Sequence, residues 1–99
     1  MENQHRQIKG YRELSQKEID LMNRIKEFGP QLKQLVDDVY EHVLEQHKEA
    51  SGESPHEANQ RELFRLTEAK PLDWLTEGKG ELQKGLMFLT RAVAQPTFF

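Results

Sequence analysis

The chain has 99 residues, of which 35% are hydrophobic and 31% charged, with no cysteine and a net charge of −3. That length makes one domain, and the cysteine count excludes disulfide scaffolds and thiolate-bound metals. An acidic chain is also a poor candidate for wrapping nucleic acid, because neutralising phosphates needs a broad positive face.

The charge is unevenly spread. Residues 1–36 carry seven bases against five acids (+2), residues 37–73 four bases against ten acids (−6), and residues 74–99 three bases against two acids (+1). Small anionic ligands at the two basic ends fit this pattern. No apolar run of about 18 residues exists to span a membrane, and the opening MENQHRQIKG has no apolar signal region, so residence in the cytoplasm is expected.

Residues 1–14 show no periodic pattern and read as an extended arm. His5, Arg6, Lys9, Tyr11 and Arg12 concentrate recognition chemistry there. A solvated terminal tail is one reading of such a segment. The other is an aromatic flanked by cations beside a helix start, which can stack a base and neutralise a phosphate.

A long helix is predicted over residues 15–49. Apolar residues at Ile19, Met22, Ile25, Phe28, Leu32, Leu35, Val36, Val39, Val43 and Leu44 follow gaps of three and four. Ser15 and Glu18 form a capping box, with Leu14 and Ile19 at the staple positions. Gly29-Pro30 predicts either a kink or two abutting helices. Residues 50–71 are read as a connection with a short helix. That helix opens at Ser54-Pro55, runs to Ala69, and is interrupted by Lys70-Pro71.

A last helix and tail occupy residues 72–99. Leu75, Leu82, Leu86, Leu89 and Val93 make its apolar stripe, Gly85 would permit close helix approach, and Gly78 with Gly80 could mark a break. The fold class is therefore all-α, a kinked long helix and a C-terminal helix forming an antiparallel hairpin. Such a hairpin cannot bury both stripes alone, so completion by homo-oligomerisation is expected, with Phe98 and Phe99 docking on a partner subunit.

No Gly-rich phosphate loop, GxSxG elbow or HExxH is present. His42 and His47 lie five apart and point to different helix faces, so no metal site is expected. Neither catalysis nor a cofactor is expected.

The opening QHRQIKGYRELSQKEIDLMNRIKE and the closing ELQKGLMFLTRAVAQPTFF resemble the phage-encoded anti-CBASS cyclic-oligonucleotide sponges that share a helical hairpin domain. The likeness covers about the first thirty and last twenty-five residues. It implies a non-enzymatic helical homohexamer in the cytoplasm of an infected bacterium. Such proteins bind cyclic dinucleotides such as cyclic GMP-AMP and cyclic trinucleotides such as cyclic tri-adenylate between subunits. The aromatic of the KGYR motif corresponds to Tyr11, which would stack on bases, and the first-helix lysine to Lys26, which would meet phosphates. Lys9, Arg12 and Arg91 join them by charge and motif membership. Lys79 stands where an arginine is expected, keeping the charge but losing the planar fork. The rival reading is a helical protein-interaction or structural module that ignores nucleotides. A DNA-binding regulator is disfavoured because the central helix carries more acid than base.

Overall fold

The computed structural model describes residues 12–97. Three α-helices and one 3₁₀ turn account for nearly all of this length. Helix α1 spans Gln16–Ser51, a 3₁₀ turn spans Pro55–Glu57, α2 spans Gln60–Ala69 and α3 spans Pro71–Ala94.

The start of α1 is built as its residues dictate. The Ser15 hydroxyl accepts from the Glu18 backbone N–H at 3.2 Å, and the Glu18 carboxylate accepts from the Ser15 N–H at 2.8 Å. Two of the four orphan amides of a helix start are thereby satisfied. Pro30 lies inside a single 36-residue helix, so the chain does not split into two helices at Gly29-Pro30. At about 1.5 Å per residue, α1 is about 54 Å long.

Helix α1 also continues past the predicted end at Glu49, through Ala50 and Ser51. Lys, Glu and Ala are strong helix formers, and Ala50 is among the most buried residues at 3% exposure. Gly52 ends the helix at φ 68°, ψ −172°, a region essentially reserved for glycine. A Cβ added there would sit 2.8 Å from the Glu57 Cβ. Gly52→Ala should therefore cost about 1–3 kcal/mol, measured as a shift in urea unfolding midpoint at unchanged slope.

The predicted start at Ser54 needs correction. Pro55 opens only one 3₁₀ turn, and Ser54 makes no side-chain cap bond. Instead Asn59 caps α2, its side-chain oxygen accepting from the Glu62 N–H at 3.1 Å, while its own N–H donates to the Ala50 carbonyl at 2.7 Å. That second bond fixes the entry of α2 against the end of α1. A single residue, Lys70 in the left-handed region at φ 50°, then separates α2 from α3.

Helix α3 runs unbroken through Gly78 and Gly80, and no atom lies within 4 Å of a Cβ built on Gly85. The glycines neither break the helix nor admit a close neighbour within the chain. Helices α1 and α3 pack antiparallel: one cleft is shared by residues 21–32 of α1 and 86–93 of α3, the next by 29–37 and 79–86. The α1–α3 hairpin is the main tertiary contact, and α2 packs on α1.

The described residues form a rod of 68 × 27 × 18 Å with a radius of gyration of 21.4 Å, against roughly 13 Å for a globular domain of this size. A rod so thin has little interior. Among the described residues only Val43, Ala50 and Leu66 are buried. Val43 and Ala50 are two turns apart on one face of α1, and Leu66 belongs to α2, which packs on α1. Large apolar side chains remain in solvent, led by Trp74 at 73% exposure, with Met87, Phe64 and Phe88 close behind.

Candidate functional site

Arg12, among the described predicted site residues, makes hydrogen bonds with all three of its guanidinium nitrogens. Its Nε donates to the Ala94 carbonyl at 2.9 Å, and its Nη2 to the Val93 carbonyl at 2.7 Å. Nη1 donates to Glu18 Oε1 at 3.2 Å, and Nη2 makes a close ion pair with Glu18 Oε2. Nη1 also reaches the Glu13 carbonyl at 3.4 Å. The guanidinium fork thus spans two helix ends. It satisfies two of the carbonyls that a helix leaves open at its C-terminus, and Gln95 N–H satisfies a third, that of Arg91, at 2.8 Å.

Electrostatics favour the same arrangement. The C-terminus of α3 carries partial negative charge and attracts the Arg12 cation, while Glu18 sits in the positive first turn of α1. The Arg12 hydrogen bond, followed by that from the Ser15 backbone, lowers the Glu18 carboxyl from 4.5 to about 2. Arg12 is raised in turn. Because the folded chain binds the Glu18 proton less readily than the unfolded chain, this stabilisation is complete above pH 4.5 and fades as pH falls toward 2. Glu18→Gln should flatten that part of the acid limb in thermal melts between pH 5 and 2.5. Glu62, lowered by Arg65, contributes in the same direction and should leave a remainder.

Lys26 is exposed on α1. Lys33 lies two turns further along the same face, about 10.5 Å away along the axis. Lys33 and Lys79 line an open cleft of about 380 Å³ with Gly29, Asp37 and Gln83, and Lys33 is paired with Asp37 at 2.8 Å. Lys33 and Lys79 therefore share one cleft, and Lys26 precedes Lys33 by two turns of α1. Lys33 was not singled out from the sequence; its position seven residues after Lys26 is the signal that would have found it.

Arg91 stands in the last turn of α3, twelve residues and about 18 Å along the helix from Lys79. The described candidates are thus distributed over the hairpin and do not converge on one pocket. Lys9 and Tyr11, with the rest of the arm before Arg12, lie outside the described residues, as do Phe98 and Phe99. A second cleft, of about 480 Å³, is mainly apolar, lined by Leu21, Ile25, Phe28, Leu86 and Leu89 among others. Among the described residues no three acidic or histidine side chains gather as a metal site would require, and no helix is long and apolar enough to cross a membrane.

The antiparallel hairpin matches, over residues 3–94, the family described as Acb2/Tad1, hairpin domain. The chain belongs to that family. The hairpin family's match takes in the arm, all of α1 and α2, and α3 to its last residue. A relative in Pseudomonas phage JBD67, named Anti-CBASS protein 2, is 43% identical over 97% of this chain and 97% of its own length.

Proposed function

We propose that the chain is a phage immune-evasion protein that binds cyclic di- and trinucleotide messengers of CBASS-type defence and holds them without degrading them. The observation that carries this reading is the full-length likeness to a phage protein whose name says it counters CBASS. The chemistry of the hairpin is compatible with it. Lys26 and Lys79 offer positive charge for phosphate contacts, and the two clefts between α1 and α3 are open to solvent rather than closed around a reacting group. Tyr11 stacks on bases and Lys26 meets phosphates; Lys9, Arg91 and Lys79 add positive charge.

The site is completed between subunits of a homo-oligomer, a hexamer by the resemblance. Two features support assembly: the chain leaves Trp74, Phe64, Met87 and Phe88 in water, and the described candidates Lys26, Lys79 and Arg91 do not converge on one pocket. Exposed apolar area of this kind marks interaction surfaces. Sedimentation should give a mass several times that of an 11.7 kDa chain, whereas a stable folded monomer at micromolar concentration would contradict assembly.

Sequestration without catalysis is tested by recovery. Protein incubated with cyclic GMP-AMP, then denatured, should return the ligand intact on chromatography. Linear or monomeric nucleotide products would instead show an enzyme. A protein that ignores cyclic nucleotides but captures a helical partner would support the interaction-module reading.

A further inference from the structure

We infer that Arg12 is a positioning residue for the ligand site rather than a ligand contact, acting as a clamp that joins the start of α1 to the end of α3. The inference rests on the proposed cyclic-nucleotide reading and adds to it a division of labour within the KGYR stretch. Arg12 makes no claim on a ligand phosphate that its own chain has not already met. All three guanidinium nitrogens donate within the chain: Nε to Ala94, Nη1 to Glu18 and Glu13, and Nη2 to Glu18 and Val93. A phosphate arriving at Arg12 would have to displace Glu18 and reopen two carbonyls at the end of α3.

Arg12 is also the first of the described residues, 12–97. Residues 12–15 have no helix or strand of their own to hold them. The contacts of Arg12 cross 81 and 82 residues of sequence, to Val93 and Ala94. Tyr11, the proposed stacking residue, is one peptide bond away. Fixing Arg12 against two helix ends anchors the chain at the residue that follows Tyr11 in sequence, and preorganisation of this kind raises affinity without adding a contact.

Glu18 offers a clean separation of clamp from cap. Glutamine also serves at the third position of a capping box, so Glu18→Gln keeps the helix start while removing the charge that holds Arg12. Ser15→Ala does the converse. It weakens the cap and leaves the Arg12–Glu18 pair and the Ser15 backbone N–H in place.

The test is calorimetric titration with cyclic GMP-AMP of wild-type protein, Arg12→Ala, Arg12→Lys, Glu18→Gln, Ser15→Ala and the Arg12→Ala/Glu18→Gln double variant. All are measured well below their melting temperatures. The expected result is that Arg12→Ala and Glu18→Gln each raise Kd by about tenfold, and that the double variant is no worse than either, as required of two groups acting as one unit. Arg12→Lys should not rescue, because an ammonium cannot grip two carbonyls and a carboxylate in a planar fork. Ser15→Ala should lower the melting temperature with Kd unchanged. Loss of affinity in Arg12→Ala with full or improved binding in Glu18→Gln would make Arg12 a direct phosphate contact and overturn the inference. Wild-type affinity in both variants would overturn it while leaving the sponge reading intact. Wild-type protein that takes up no cyclic nucleotide overturns both.

Discussion

Replacing Tyr11 with alanine should weaken uptake of cyclic GMP-AMP by roughly 5- to 150-fold, the equivalent of about 1–3 kcal/mol per stacked base. Lys26→Ala should cost at least about tenfold, because a charge-assisted hydrogen bond to phosphate contributes about 1.5–3 kcal/mol. The two residues do different work, and salt separates them. Loss of Lys26 should reduce the dependence of log Kd on log salt, whereas loss of Tyr11 should shift Kd at all salt concentrations alike. Lys48 provides a control cation on the same exposed helix, 22 residues and about 33 Å from Lys26 along the axis. Its replacement by alanine should leave Kd unchanged. Equal affinity in wild type, Tyr11→Ala and Lys26→Ala would remove both residues from the site.

Leu66→Ala should have the largest effect on stability, about 2–5 kcal/mol. Leu66 is 2% exposed and is one of only three buried residues among those described. Its helix has ten residues, shorter than an isolated helix needs to persist in water, so α2 depends on packing against α1. With so few buried side chains, no neighbouring core can compensate by collapsing into the space. Urea unfolding followed by far-ultraviolet circular dichroism should show the loss, together with reduced helicity before the main transition. A change under about 1 kcal/mol would mean that the interior of the folded assembly lies elsewhere than the α1–α2 contact.

The parts of this fold that could be read from the chain are those set by local chemistry. Ser15 and Glu18 stand three apart and form the capping box that their types require. The stripes of α1 and α3 face each other because a period of three and four leaves no other face to bury. Misreadings arose where neighbouring signals competed. Ser54-Pro55 has the composition of a helix start, yet the bond from Asn59 to the Ala50 carbonyl decides the start of α2, and that bond depends on where α1 ends. Gly78 and Gly80 lie within an unbroken α3, since a glycine costs a helix interior about 1 kcal/mol and does not by itself end it.

Tertiary roles were less legible. Arg12 was recognisable as a cation beside an aromatic, but two of its partners are carbonyls more than 80 residues away, and backbone atoms carry no sequence signature. Lys33 and Lys79 line one cleft only because the hairpin has a particular register. Tyr11 and Lys26 are reached only through resemblance, since neither periodicity nor charge singles them out.

The most direct test of the central claim is a calorimetric titration of the purified protein with cyclic GMP-AMP and with cyclic tri-adenylate, with its mass in solution measured in parallel. The expected result is submicromolar binding to at least one of them, at a fixed fraction of a site per chain, by an oligomer. No heat with either ligand, from a folded oligomer, would contradict sequestration and leave the hairpin as an interaction scaffold.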